Sequence, residues 1–233
     1  MFDFGNANDG QRKAIAAADG PVLITAGPGT GKTYTLVQRA IYLIEECNVR
    51  PESIFIATFT EKAAKELVTR ITNELANRNI TANINEMYIG TFHSLCLRML
   101  KEHLEYTRLR RNYRLMDSFD QQYMVFQNIH RFRSIPEIEI VLPNGGAWKQ
   151  AETICNFVNN LSEELVSPEE LMSDHDPSIA SLGRMLQEYR TILTEANLMD
   201  FSSIQIEAYR LLCDNEGILN ELRSAFTHLM VDA

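Results

Sequence analysis

Apolar residues along this chain follow two spacings. Four short runs, at residues 22–25, 54–58, 87–91 and 228–232, are apolar and partly β-branched, as buried strands are. Each of the first three is followed by apolar positions at a period near 3.6. These are Leu36, Val37, Ala40, Ile41, Leu43 and Ile44 after the first, and Ala63, Ala64, Leu67, Val68, Ile71 and Leu75 after the second. Leu95, Leu97, Met99, Leu100 and Leu104 follow the third. Strand alternating with amphipathic helix predicts βαβ units and a mostly parallel sheet flanked by helices, the α/β class.

The pattern changes at about residue 107. From there to 196 it predicts helices and no strand: 118–131 with Ser118 as cap, then 151–161, 168–173 and 177–196. Pro136, Pro143 and the turn Asn144-Gly145-Gly146 interrupt them. A helix at 201–213, a second after Gly217 and the last strand complete the chain. The expected organisation is one α/β domain, 1–106 plus 197–233, interrupted by an all-helical insertion, 107–196.

Composition narrows the class. With 233 residues, 45% hydrophobic and 23% charged, the chain can bury a core without disulfide or metal staples. No run approaches the ~18 apolar residues of a membrane span, and the start shows no signal-peptide pattern. Cys47, Cys96, Cys155 and Cys213 are scattered, as are the histidines. That argues against a zinc site or disulfide framework and suits a cytoplasmic protein. The net charge of −9 speaks against nucleic acid as a partner. It is uneven, however. Residues 98–114 hold six Lys/Arg against two Glu, whereas 161–200 hold nine Asp/Glu against Arg184 and Arg190.

The chemistry concentrates at residues 26–33, Ala26-Gly27-Pro28-Gly29-Thr30-Gly31-Lys32-Thr33. The segment leaves the first predicted strand and opens the first amphipathic helix. A tight glycine loop there turns its N–H groups inward as an anion nest, and the helix N-terminus adds partial positive charge. Lys32 would reach the β- and γ-phosphates and the Thr33 hydroxyl would bind Mg²⁺. Ala26 stands where the strict phosphate-loop pattern has its first glycine. Such a loop predicts a nucleoside triphosphate ligand, and serves motors, kinases and switches alike.

Four further segments keep company with the loop: Asn8-Asp9-Gly10-Gln11-Arg12-Lys13-Ala14-Ile15, Thr58-Phe59-Thr60-Glu61-Lys62-Ala63-Ala64, Gly90-Thr91-Phe92-His93-Ser94-Leu95 and Asn197-Leu198-Met199-Asp200-Phe201. In this order the set resembles the UvrD/Rep/PcrA family of superfamily 1 DNA helicases over nearly the whole chain. The resemblance implies a RecA-like motor domain using ATP and Mg²⁺, moving 3′→5′ on single-stranded DNA or a 3′-tailed duplex. It implies that Gln11 reads adenine, with Arg39 near the base. Phe59 and Thr60 match the first single-strand-binding motif, and Thr91, Phe92 and His93 the second. Asp232, at the tip of the last strand, matches the second Mg²⁺ anchor, so that Lys32 and Asp232 carry the catalysis.

The chain departs from the family pattern at three places. Glu61 stands where the family has Asn, and Ser202-Ser203 where an acidic pair is common. Ala233 occupies the place of the Glu that activates water. The expectation is a piece of a longer helicase, without its second motor domain and inactive by itself.

Overall fold

The computed structural model describes residues 2–17 and 19–232; Met1, Ala18 and Ala233 lie outside the described residues, and with Ala233 the expectation attached to it. The chain forms two compact units, Met1–Leu95 with Glu216–Ala233, and Cys96–Asn215.

The first unit holds α1 (Asp9–Ala16), α2 (Lys32–Glu45), β1 (Ile54–Thr58), α3 (Glu61–Asn77), β2 (Tyr88–Thr91), the start of α4 (Phe92–Glu102), α11 (Glu216–Ala225) and β5 (His228–Asp232). Its sheet runs β2-β1-β5 with both pairings parallel. The β1-α3-β2 crossover is the βαβ unit that the alternating periods predict. The core forms where the stripes of α2 and α3 meet the sheet: Ile41, Leu43, Ile54, Ile56, Leu67 and Ile71 are fully buried. Each such side chain contributes roughly 1.5–3 kcal/mol through removal from water. The N-terminal segment is fastened to this layer by Arg78. Its guanidinium pairs with Glu45 and Glu74, donates to the Asp3 carbonyl and lies over the Phe2 ring.

One expected strand is absent. Residues 22–25 have no regular secondary structure and join no ladder in the described sheet. Leu23 is 92% exposed, and Val22 and Ile24 also face solvent. Register and pairing are enforced by burial of one strand face, and here neither face is buried. The outer strand β5 is paired with β1 alone, and its Leu229 and Val231 are exposed as well.

The second unit holds the rest of α4, then β3 (Arg114–Leu115), α5 (Ser118–Gln127), α6 (Ile129–Arg133), α7 (Ala147–Glu163), α8 (Pro168–Met172), α9 (Pro177–Glu195), β4 (Leu198–Met199) and α10 (Phe201–Asp214). Its core gathers Phe132, Ile154, Val158, Met185 and Leu186 from α6, α7 and α9. Two sequence expectations need correction. The stretch 107–196 does contain a strand, because β3 pairs in parallel with β4. Two residues are too few to show a period. The first helix is capped by Asp117, whose carboxylate accepts from the Asp120 N–H at 2.8 Å, and not by Ser118, which is already helical.

The segment 197–201 is the hub of this unit. Asn197 sits at φ 52° after α9, a helix-ending conformation that Asn tolerates. Its side-chain oxygen accepts from the Arg110 N–H at 3.0 Å. Asp200 caps α10, accepting from the Ser203 N–H at 2.7 Å, and also receives the Tyr189 hydroxyl and, at 3.2 Å, Gln121 Nε2. Burial and the nearby Asp200 charge push the Cys155 thiol up to about 12. Cys155 therefore remains protonated and unmodified by iodoacetamide at pH 8, while exposed Cys47 and Cys213 react. Mass spectrometry of the native protein after brief alkylation checks this; early labelling of Cys155 would mean that the core of this unit opens.

Candidate functional site

The phosphate loop is built by its neighbours on both sides. Gly29 and Gly31 adopt φ of 74° and 90°, the left-handed region that favours glycine. Thr30 closes the turn by donating its hydroxyl to the Gly27 carbonyl at 2.7 Å. Gly31 then caps α2, and Thr35 returns a backbone bond to its carbonyl. The loop is exposed, Thr33 is half-buried, and the Lys32 ammonium rests 3.2 Å from the Ala26 carbonyl. That bond occupies one of three ammonium donors, leaving two for phosphate oxygens.

Gln11 comes to this loop from 19 residues upstream. Asn8 and Gln11 form a capping box at the start of α1, the Gln11 Oε1 accepting from the Asn8 N–H at 2.9 Å. The same amide donates through Nε2 to the Thr30 carbonyl at 3.1 Å. A β-carbon on Gly31 would lie 2.8 Å from that Nε2, so glycine at 31 is what admits the glutamine. One N–H and one oxygen lone pair remain, the donor–acceptor pair that an adenine edge needs. The local capping role and the loop contact are thus compatible in one side chain.

Between α1 and residues 22–35 lies a cavity of about 630 Å³, lined by Gln11, Ala26, Gly27, Thr30 and Lys32 and walled on its apolar side by Val22, Leu23 and Ile24. That volume falls within the ~300–1,000 Å³ range of small-molecule sites. Arg39 is placed differently from the other nucleotide candidates. It is 8% exposed and donates to the Ala14 carbonyl at 2.7 Å. Its guanidinium is spent on the carbonyl end of α1, satisfying an orphan acceptor, and burial lowers its pKa.

The remaining candidates line the carboxyl edge of the sheet. In register, Thr91 of β2, Thr58 of β1 and Asp232 of β5 stand side by side at the strand ends. Ligands of open parallel sheets bind beyond this edge. Phe59 follows β1 and is 83% exposed, so it is no core residue; Phe92 opens α4 at 41%. Thr60 caps α3 by accepting from the Ala63 N–H at 3.1 Å. Thr91 accepts from the Ser94 N–H and donates its hydroxyl to Glu61 Oε1, both at 3.1 Å. Glu61 thereby ties the start of α3 to the end of β2. His93 is half-buried on the first turn of α4. A β-carbon on Gly90, inside β2, would lie 2.4 Å from Ser94 Oγ, which explains glycine at this strand position.

The basic segment 98–114 is partly neutralised within the second unit. Arg98 pairs with Glu102 and Arg108 with Glu207. Arg110, Arg111 and Arg114 are exposed.

Residues 7–233 match the family model described as UvrD/REP helicase N-terminal domain. Similar proteins include a probable DNA helicase II homolog of Mycoplasma capricolum, 32% identical over 229 residues, and DNA helicase II of Haemophilus influenzae, 33% over 227. Each match covers 97% of this chain but only 30% and 29% of the relative. The ATP-dependent DNA helicase SRS2 of Saccharomyces cerevisiae is 31% identical over 226 residues, covering 90% of this chain and 18% of its own. The chain thus spans about 30% of the length of the bacterial relatives, and a family match over nearly all its residues makes it a member of the UvrD/REP helicase N-terminal domain family.

Proposed function

We propose that this chain is the ATP- and single-stranded-DNA-binding part of a longer ATP-dependent 3′→5′ DNA helicase. The observation that carries it is the seating of the Gln11 amide on the phosphate loop, with a free donor and acceptor beside the cavity. A base selector and a phosphate cradle then address one nucleotide. In this reading the unit of residues 1–95 with 216–233 belongs to a RecA-like motor domain, and the unit of residues 96–215 carries its largely helical insertion. No helix among the described residues is long and apolar enough to cross a membrane.

The division of labour follows from the side chains. Residues 26, 27 and 29–31 hold phosphate oxygens through backbone N–H groups, Pro28 shapes the loop without donating, and Lys32 neutralises the transferring phosphoryl. Thr33 and Asp232 would hold Mg²⁺, whose charge offsets that of the β- and γ-oxygens. Arg39 acts through α1, keeping the helix that presents Gln11 in place. Phe59 and Phe92 offer stacking faces, while Thr60, Thr91 and His93 meet the strand's phosphates and sugars. Hydrolysis and unwinding belong to the whole protein, with a second motor domain that closes on ATP.

Titration calorimetry with ATP and GTP tests the reading. The parent binds ATP more tightly, and Gln11→Ala erodes that preference about tenfold, the scale of a lost two-point base contact. Equal affinity of the parent for both nucleotides would overturn it.

A further inference from the structure

The second unit gathers three arginines from distant parts of the sequence. Arg108 lies ahead of β3, Arg190 on α9 and Arg210 on α10. All three line one small cavity of about 50 Å³, with the side chains of Ser162, Thr194 and Glu207. Two wider hollows, of about 340 and 160 Å³, share Arg190 and Arg210 with it.

Charge in this cavity is unbalanced. Glu207 is buried and accepts from Arg108 Nε at 2.8 Å, while Arg210 Nη1 stands 3.5 Å from the same oxygen. One carboxylate therefore answers to two guanidinium groups. Arg190 reaches the Val166 carbonyl at a long 3.4 Å. Arg108 Nη1 is buried with no hydrogen-bond partner among the described residues. The next carboxylates, Glu169 and the Arg131-paired Glu195, line the outer hollows and not the inner cavity. Burial, and then the like charge of Arg210, hold Arg190 below the usual guanidinium value. A site with surplus cations and an unmatched buried donor is relieved by an anion.

We propose that this cavity is a binding site for a phosphate-type oxyanion, separate from the phosphate loop. Guanidinium forks match the paired oxygens of phosphate, and charge-assisted bonds of this kind are the strong ones. The inner volume exceeds the ~10–15 Å³ that admits one water, which gives room for a tetrahedral oxyanion and none for a nucleobase. The oxyanion comes either from inorganic phosphate or from the backbone of a bound strand, whose sugars and bases would occupy the wider hollows.

The experiment uses the full chain carrying Lys32→Ala, so that the phosphate loop is disabled. Inorganic phosphate is titrated at constant ionic strength against chloride, read by the melting temperature and by calorimetry. Phosphate raises the melting temperature and chloride does not. Adding Arg210→Gln, a half-exposed position whose loss the fold tolerates, weakens phosphate binding about tenfold. Arg190→Gln does the same, provided circular dichroism shows it folded. Equal phosphate affinity with and without Arg210→Gln, or no effect of phosphate beyond that of chloride, overturns the proposal.

Oligo(dT) binding by Arg210→Gln in the otherwise unaltered chain identifies the source. If the oxyanion belongs to a strand, the slope of log K against log salt falls by about 0.7. If it is free phosphate, the slope stays while phosphate affinity drops.

Discussion

Lys32→Ala lowers affinity for ATP by about two orders of magnitude or more and leaves the fold intact. In the structure the ammonium makes one bond, to the Ala26 carbonyl of its own loop, and the side chain is exposed. Its removal uncovers no buried group, so stability moves by no more than about 0.5 kcal/mol, as at other surface positions. The nucleotide loses far more. Two charge-assisted contacts to phosphate, each about 1.5–3 kcal/mol, disappear together, and each 1.4 kcal/mol is about tenfold. Calorimetric titration of parent and variant, beside their thermal melts, gives both quantities. Retention of ATP affinity by Lys32→Ala would place the nucleotide somewhere other than residues 26–33.

Phe59→Ala weakens binding to oligo(dT) by about five- to a hundredfold without changing the melting temperature. A base stacked on an aromatic face is worth about 1–3 kcal/mol. At 83% exposure the ring contributes almost nothing to the core. Thr60 keeps α3 capped in the variant because its bond to the Ala63 N–H does not involve the ring. Phe92, about half as exposed, shows the smaller effect on DNA and the larger effect on stability. Fluorescence anisotropy with labelled oligo(dT), paired with circular dichroism melts, separates the two contributions. A Phe59→Ala protein that melts early yet binds DNA as the parent does would assign the ring to packing alone.

At Phe59 and Phe92, sequence and tertiary structure carry different information. Both stand beside strand ends, where an aromatic is usually core, and only the ordered motifs pointed outward. Solvent exposure of Phe59 removes the packing explanation. Thr60 and Gln11 behave otherwise: each has a capping role, and that role coexists with its place at the candidate site. Arg39 looked like a neighbour of the nucleotide because α2 follows the loop. Its burial against the end of α1 was invisible until the two helices packed.

What the sequence alone determined was local. The loop 26–33, the βαβ rhythm and the amphipathic helix after Thr60 all depend on residues within a few positions of one another. Backbone propensity, glycine freedom and side-chain period act over that range. Tertiary structure decided the rest. Residues 22–25 have strand composition but no ladder, because pairing needs a buried face that composition does not supply. β3 and β4, two residues each, exist because chain segments 84 apart are brought into register. Arg190 counted as a minor offset within an acidic stretch, and Arg108 as one charge of a basic one. The tertiary fold lines one cavity with both of them, Arg210 and the Glu207 carboxylate. Charge balance is a property of three-dimensional neighbours: Coulomb energy falls with distance in space and takes no account of distance along the chain.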